Sequence, residues 1–335
     1  MAVFSNCASK KGAPEPIAEL NEQWKAQARG QHESWVRPAA ESKHTGTNSI
    51  GSWMKATALF TAICGAGGLL PNSLNTAAAS DAPDKQMMLA EHNQNLTGFQ
   101  VVEFRRYLVK PEERQHFAQY FEAYFPEAFQ QLGAIAAGSF FERKNQSGFT
   151  WIRGFHTIDD RAIVNAAFYY GPVWNEHRST LNDLMTDSDN VMLLRSLSPA
   201  QEISILPAVD PVTEPNGAQG VVVAQVFPVK TGSVEAFADA AKPTFGKYRN
   251  AGAREAGILV TLDVRNNFPQ LPVRTDGPYL VWLGILRDNQ TLEKDFTPVA
   301  DDAKTALTAT GLLRDTPELI VLDPTPRSRL RWLPR

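Results

Sequence analysis

The chain has 335 residues, which is enough for about two domains of ordinary size. Hydrophobic residues make up 43% and aromatic residues 10%, and this composition excludes a largely disordered chain. The net charge of −3 excludes a bulk attraction to nucleic acid or anionic membranes, so we expect no nucleic-acid partner. The two cysteines, Cys7 and Cys64, lie outside the part of the chain that is predicted to fold. No disulfide framework or zinc site is therefore expected in the folded part.

The N-terminal segment has the pattern of an export signal that starts late. Residues 1–53 are polar and irregular, which is typical of a disordered or untranslated extension. Residues 54–79 have a basic start, an apolar run and an Ala-x-Ala site, which are the parts of a secretory signal peptide. A start at Met54 would make the mature chain exported, periplasmic or secreted; otherwise it is cytoplasmic. The apolar run is short for a membrane span, so no stable span is predicted in the mature chain, although an anchor remains the alternative.

Elements of the first half follow in chain order. Residues 100–109 are β-branched and aromatic, as in a strand. Apolar side chains then recur at helical spacing as far as residue 132, and Pro126 should divide this helix. Strands are predicted at 134–143 and 148–155. Thr157 is typical of a helix N-cap, Gly171-Pro172 should break that helix before a further segment to about residue 185, and a strand at 190–197 ends this half.

The second half repeats this order of elements. Residues 221–230 align with 101–110, and Phe237 then falls on Phe117. Residues 265–278 are predicted to be an extended loop and 199–219 a linker, while the basic end, 326–335, is predicted to be a solvated tail. The strands and helices of this half are predicted at 220–229, 232–250 (helix), 254–264, 279–286, 291–308 (helix) and 318–322.

Each half therefore reads as strand, helix, strand, strand, helix, strand. This βαββαβ order puts two helices on one face of a four-stranded antiparallel sheet and leaves the other face bare. Two tandem ferredoxin-like halves, at 98–198 and 220–325, can cover both bare faces by packing sheet to sheet. The predicted fold is an α+β barrel made by one chain.

Four motifs of the first half resemble the NIPSNAP family of the dimeric α/β-barrel superfamily. They are VEFRRY at 102–107, FTWIRGF at 149–155, FYYGPVWNEHR at 168–178 and DSDNV at 187–191. The resemblance implies the barrel fold, but that family has no settled catalytic mechanism to transfer. Relatives in the superfamily include small monooxygenases and haem enzymes, so the fold alone does not decide the function.

Strand alternation sorts the candidate site residues into two sets. One set is apolar and suits the helix-covered face: Val102, Phe104, Leu108, Ile152 and Gly154. The other set combines charges with aromatic rings and is predicted to point into the barrel: Glu103, Arg105, Tyr107, Trp151 and Arg153. Unpaired buried charges cost several kcal/mol, so these groups must be paired or must face water or a ligand.

Two interpretations of the charged set stay open. In the first, Arg105 and Arg153 bind a carboxylate or similar oxyanion through bidentate hydrogen bonds, while the aromatic rings pack against its apolar part. In the second, Glu103 and the two arginines form an ion cluster that determines strand register. The second half has aromatic counterparts, such as Trp282, but no charged ones, and this asymmetry favours a binding site.

His177 is a further candidate, as a general base or a haem ligand. A lone histidine on a helix is more often neither, so we predict no cofactor, with haem as the alternative. Asp187 and Asp189 are more typical of a turn than of a metal site, and we predict no metal site.

The predicted function is the binding of a small apolar anion in the barrel, without turnover. The alternative is a cofactor-independent monooxygenase or isomerase in which Arg105 and Arg153 stabilise an enolate-like charge. The absence of a second titratable base among the candidates favours binding. Whether the chain forms a homo-oligomer stays open, since the two tandem halves could already cover each other's bare sheet faces.

The signal-peptide interpretation predicts that the protein isolated from its native host begins at Ser80. N-terminal sequencing measures this directly. A protein that retains an intact Met1 or Met54 end would contradict export by cleavage.

Overall fold

The structure is a computed structural model that describes residues 96–334. The export signal predicted at 54–79 and both cysteines lie outside the described residues. The elements of the first half are β1 Val101–Val109, α1 Arg114–Tyr124, α2 Pro126–Gln131, β2 Ile135–Glu142, β3 Gly148–Phe155, α3 Ile158–Tyr169, α4 Pro172–Leu184 and β4 Met185–Ser196. Those of the second half are β5 Val221–Pro228, α5 Val234–Asn250, β6 Arg254–Thr261, β7 Tyr279–Leu286, a π-helical turn Thr291–Phe296, α6 Thr297–Thr308 and β8 Glu318–Pro324.

The eight strands form a closed antiparallel barrel in the order β1-β3-β2-β8-β5-β7-β6-β4. Each half contributes four adjacent strands in the order of a ferredoxin-like sheet. The halves join where β2 pairs with β8 and where β4 pairs with β6, and each of these seams has three cross-strand pairs. The predicted α+β barrel of two tandem βαββαβ halves is confirmed.

Local sequence signals determine where the helices begin. Thr157 caps α3: its side-chain oxygen accepts a hydrogen bond from the Asp160 N–H at 3.1 Å, and the Asp160 carboxylate accepts one from the Thr157 N–H at 3.1 Å. Pro126 begins α2 and separates it from α1, and Pro172 begins α4, because a proline at the first helical position loses no hydrogen bond. None of the helices among residues 96–334 has the length and apolar character needed to cross a bilayer.

The barrel interior is a solid apolar core. All eight strands contribute side chains to it, among them Val102, Phe104 and Ile152 of the first half. Ile203 and Ile205, from the segment between the halves, and Leu330, near the C-terminus, pack into the same core and are at most 2% exposed. An eight-stranded barrel has an interior just wide enough for its own side chains.

The predicted faces of β1 and β3 are therefore exchanged. Alternation separated the two sets correctly, but the apolar set fills the barrel and the charged set lies beneath the helices of the first half. Leu108, predicted to lie under the helices, is 39% exposed. The physical reason is that the closed interior takes side chains from both halves and offers a charge no partner, whereas the helix-covered face supplies ionic and aromatic partners.

The C-terminal end is a strap rather than a solvated tail. We call residues 325–334 the C-terminal strap. Leu330 is fully buried, and its N–H donates to the Ala137 carbonyl at 3.0 Å. Arg331 is 3% exposed and forms an ion pair with Glu214 at 2.5 Å. The prediction of a solvated tail was wrong because Arg327 and Arg331 pair with acidic groups and Leu330 is part of the barrel core.

Replacing Leu330 with alanine should lower the free energy of unfolding by about 2–5 kcal/mol, because it removes a fully buried side chain. Urea denaturation followed by circular dichroism measures this change. The matched control is Val212→Ala, since Val212 is 85% exposed and should change stability by less than about 0.5 kcal/mol. Equal behaviour of the two variants would mean that the strap is not docked.

Candidate functional site

Four charged side chains meet on the helix-covered face of the first half. Strands β1 and β3 are neighbours, and their antiparallel register places Glu103 opposite Arg153 and Arg105 opposite Trp151. Helix α3 adds Arg161. We call Glu103, Arg105, Arg153 and Arg161 the cationic cluster. Each of the four is at most 1% exposed, so their charges depend on protein partners instead of water.

Glu103 is the centre of the cationic cluster. Its Oε2 accepts hydrogen bonds from Arg105 Nη1 at 2.8 Å and from Arg153 Nη2 at 2.5 Å, and its Oε1 accepts one from Arg161 Nε at 2.6 Å. Burial alone would raise the pKa of Glu103, but the three guanidiniums outweigh burial and hold that pKa far below its usual range. Three positive charges against one negative charge leave a net buried charge of +2.

Aromatic rings enclose the guanidiniums. The Arg153 guanidinium carbon lies 4.9 Å from the ring centroid of Phe129, 5.0 Å from Phe155 and 5.1 Å from Trp151. The Arg105 Nε donates to the Tyr107 hydroxyl at 2.7 Å, and burial is the main reason that the pKa of Tyr107 is raised. The rings orient the guanidinium planes and offset part of the charge through cation–π attraction.

Several buried polar atoms of this site have no hydrogen-bond partner among the described residues. They are Arg153 Nη1, Arg161 Nη2, Trp151 Nε1 and both amide atoms of Asn165. A buried donor left unsatisfied costs about 1–3 kcal/mol, and such groups in a native protein are commonly explained by a bound ion, ligand or water. The concentration of these atoms around one cluster marks the site as a candidate for binding.

The second half covers this site with a loop. We call residues 262–278 the β6–β7 loop. Arg161 Nη1 donates to Asn266 Oδ1 at 3.0 Å and to Asn267 Oδ1 at 2.8 Å, and Asn267 Nδ2 donates to the Ile158 carbonyl at 2.5 Å. Phe268, which is 6% exposed, stacks on Tyr169 of α3. The predicted extended loop is therefore docked over the cationic cluster of the other half.

The second half has no equivalent cluster. The pairs Val223–Gly284 and Gln225–Trp282 occupy the cross-strand positions of Glu103–Arg153 and Arg105–Trp151. Trp282 Nε1 donates to Glu255 at 3.0 Å, whereas Trp151 Nε1 has no partner among the described residues. A Cβ at position 284 would lie 2.3 Å from the Trp282 ring, so the glycine lets this ring cover the place opposite Val223. At these cross-strand positions of the described strands, buried charges therefore occur in the first half and not in the second.

The structure brings together five of the six predicted site residues and separates the sixth. Glu103, Arg105, Tyr107, Trp151 and Arg153 are joined by the contacts above. His177 lies elsewhere, with its Nδ1 2.8 Å from the Tyr120 hydroxyl and its ring stacked on Tyr124 at 3.8 Å between centroids.

Sequence reasoning missed Arg161, Asn165 and the two loop asparagines. A usable signal was present for the first two. Arg161 and Asn165 lie four residues apart, in the same buried stripe of α3 as Val164 and Phe168, and a polar residue inside an apolar stripe indicates a buried polar partner. The loop asparagines carried no such signal, because their partner is distant in sequence.

Replacing Glu103 with glutamine should lower the free energy of unfolding by about 3–5 kcal/mol, because three buried guanidiniums lose their counter-charge. Denaturant unfolding at pH 7 measures the loss. The control is Asp239→Asn, which removes an exposed partner of Lys242 and should cost at most about 1 kcal/mol. Similar losses in both variants would show that Glu103 is not the centre of the cluster.

The difference in unfolding free energy between wild type and Glu103→Gln should depend on pH. The pKa of Glu103 is lower in the folded state than in the unfolded chain, so its stabilisation is fully present above the unfolded pKa and is lost as the pH falls toward the folded pKa. The stability difference between wild type and Glu103→Gln should therefore be constant from pH 7 to pH 6 and shrink below about pH 4.3, the ordinary pKa of a glutamate. A difference that grows on acidification would contradict this assignment.

No family model and no curated protein matches the chain. Among solved structures, an uncharacterized NIPSNAP-like domain protein from Burkholderia xenovorans is 24% identical over 31% of this chain and 91% of its own, with a TM-score of 0.27. An anthrone oxidase-like protein is 12% identical over 69% of this chain and 94% of its own, with a TM-score of 0.45.

A heme-binding protein from Thermus thermophilus is 11% identical over 71% of this chain and 95% of its own, with a TM-score of 0.39. The barrel described above follows from the strand pairing of this chain itself. The chain resembles a NIPSNAP-like domain protein over its matched third, and the names of the other two neighbours refer to different activities.

Proposed function

We propose that this chain binds a small anion at the cationic cluster, on the helix-covered face of the first half and not in the barrel interior. The observation that carries the proposal is the net buried charge of +2, together with the unpartnered Arg153 Nη1 and Arg161 Nη2. An uncompensated buried charge costs several kcal/mol, and an anion held by these donors would remove that cost.

The ion-cluster interpretation accounts for only part of the arrangement. Glu103 bridges β1, β3 and α3, so it does hold these elements in register. One carboxylate, however, neutralises one of the three guanidiniums that it contacts. The remaining charge is what distinguishes a binding site from a structural cluster, since a purely structural network gains by being neutral.

The walls of the site favour an anion with an apolar body. Phe129, Phe155 and Trp151 lie within 5.1 Å of the Arg153 guanidinium carbon, and Tyr169 lies 6.0 Å from it. Aromatic faces provide dispersion contacts to a planar or aliphatic group next to the charge. Because the cluster is at most 1% exposed, access requires its cover to shift, and this cover includes the β6–β7 loop, which bonds to Arg161 through Asn266 and Asn267.

The geometry supports binding over the alternative of an oxygenase or isomerase. A general base needs a free lone pair and a pKa near the working pH. The Glu103 carboxylate accepts bonds from three guanidiniums, which keeps its pKa far below that range. The Tyr107 hydroxyl accepts the Arg105 Nε hydrogen bond, and its pKa is raised above the usual value. Neither group is placed to take a proton from a substrate.

The residues around His177 do not fit a haem. The imidazole stacks on Tyr124, its Nδ1 is engaged by the Tyr120 hydroxyl, and Phe125 lies edge-on at 6.3 Å. These contacts cover one face and two edges of the ring with side chains of α1 and its C-terminal end. A haem ligand presents one nitrogen to the iron with room for the porphyrin beside it, whereas this ring is stacked on one side and hydrogen-bonded at Nδ1.

Sodium benzoate is a suitable probe because it combines a carboxylate with an apolar ring. Isothermal titration calorimetry should show saturable binding to the full chain and at least tenfold weaker binding to Arg153→Met, which keeps an unbranched side chain but removes the guanidinium and its charge. The control is Arg287→Gln, which removes an arginine that is 64% exposed and should leave the affinity unchanged. Benzoate should also raise the midpoint of thermal unfolding further as its concentration increases above the Kd, because it binds the folded chain.

The proposal fails if benzoate, acetate and phosphate all leave the calorimetric signal and the unfolding midpoint of the wild type unchanged. It also fails if Arg153→Met, shown to be folded by circular dichroism, binds benzoate as tightly as Arg287→Gln does. If Arg153→Met does not fold, Arg161→Met replaces it, since Arg161 also has an unpartnered guanidinium nitrogen among the described residues.

A further inference from the structure

Asn165 is a buried amide that the cationic cluster does not use. It is 0% exposed, and neither its Nδ2 nor its Oδ1 has a hydrogen-bond partner among the described residues. A primary amide offers two donors and one acceptor. Because both ends are unpartnered, a flip of the amide changes nothing: the donor nitrogen and the acceptor oxygen remain to be satisfied in either orientation.

The position of Asn165 places it beside the cluster. Residues 161, 165 and 169 lie four apart on α3 and therefore share one face of the helix. Arg161 bonds to Glu103, which also bonds to Arg153, and the Tyr169 ring lies 6.0 Å from the Arg153 guanidinium carbon. Asn165 therefore lies one helical turn from Arg161 and one from Tyr169, on the side of α3 that carries these contacts.

The unsatisfied atoms define what the ligand must offer. Arg153 Nη1, Arg161 Nη2 and Trp151 Nε1 are donors, and they require acceptor oxygens. The one unpartnered acceptor of this site among the described residues is Asn165 Oδ1, because the Glu103 oxygens and the Tyr107 hydroxyl already accept from arginines. A plain carboxylate or a sulfate supplies acceptors alone and would leave this amide oxygen buried and unsatisfied.

We propose that the ligand is an oxyanion that carries a hydroxyl next to its charged oxygens, with Asn165 as the residue that recognises the hydroxyl. The aromatic walls favour a 2-hydroxycarboxylate with an apolar body, and hydrogen phosphate has the same pattern of acceptors and one O–H. This inference rests on the proposed anion binding and adds the specificity of the site.

Mandelate and phenylacetate form a matched pair of probes, because they differ only in the 2-hydroxyl group. Calorimetric titration of the full chain should show at least tenfold tighter binding of one mandelate enantiomer than of phenylacetate, since a site that hydrogen-bonds a hydroxyl discriminates strongly against the analogue that lacks it. In Asn165→Leu, which keeps the branched skeleton of the side chain but removes both amide atoms, the ratio of the two affinities should fall to within about twofold.

Phosphate and sulfate form a second pair that tests the inorganic source. A preference for phosphate over sulfate, lost in Asn165→Leu, would assign hydrogen phosphate as the ligand with the same recognition of an O–H. Equal affinities within both pairs in the wild type would overturn the role of Asn165 while leaving anion binding intact, and buried water would then satisfy the amide. This wild-type comparison decides the matter even if Asn165→Leu does not fold.

A different result is expected if the cationic cluster binds no anion at all. In that case benzoate, mandelate, phenylacetate and phosphate would all leave the protein unaffected. An unchanged mandelate preference in folded Asn165→Leu would also overturn the assignment, because some other residue would then be recognising the hydroxyl.

Discussion

The bonding of one glutamate to three arginines determines how the first half is built. Glu103 holds Arg105 of its own strand, Arg153 of the neighbouring strand and Arg161 of the covering helix through bonds of 2.5 to 3.0 Å. Because all four side chains are removed from water, none of them can move independently without exposing a charge to an apolar surrounding. Sheet and helix are thereby joined by charge as well as by the usual apolar packing.

This interaction also explains why the two halves of one architecture differ. In the second half, Val223 and Gly284 stand where Glu103 and Arg153 stand in the first, and Trp282 covers the place with its ring. That half is neutral at this position and closes with aromatic packing. In the first half, the one carboxylate that bonds to the three guanidiniums does not balance them, and the β6–β7 loop of the second half lies over them. One half thus carries the site while the other covers it.

Much of the fold could be predicted from local signals. Thr157 caps α3, Pro126 and Pro172 begin helices, and β7 begins at Tyr279 and ends at Leu286 as the sequence indicated. The grouping of the site was also predictable, since alternation along β1 and β3 put the charged residues on one side. The direction of that side was not, because in a barrel both faces of a strand are buried and periodicity does not distinguish the interior from the helix-covered face.

The sequence by itself determined the order of elements, the ferredoxin-like halves and the grouping of Glu103 with Arg105 on one side of β1, because these depend on neighbours along a strand or one turn along a helix. Only the tertiary structure decided that this group faces the helices, that Arg161 and Asn165 complete it, that His177 stands apart and that the basic end is a docked strap. These facts depend on contacts between residues such as Arg161 and Asn267, or Arg331 and Glu214, which are over a hundred positions apart. Burial and charge pairing act through space, so a local sequence pattern does not show which distant residue is the partner in such a contact.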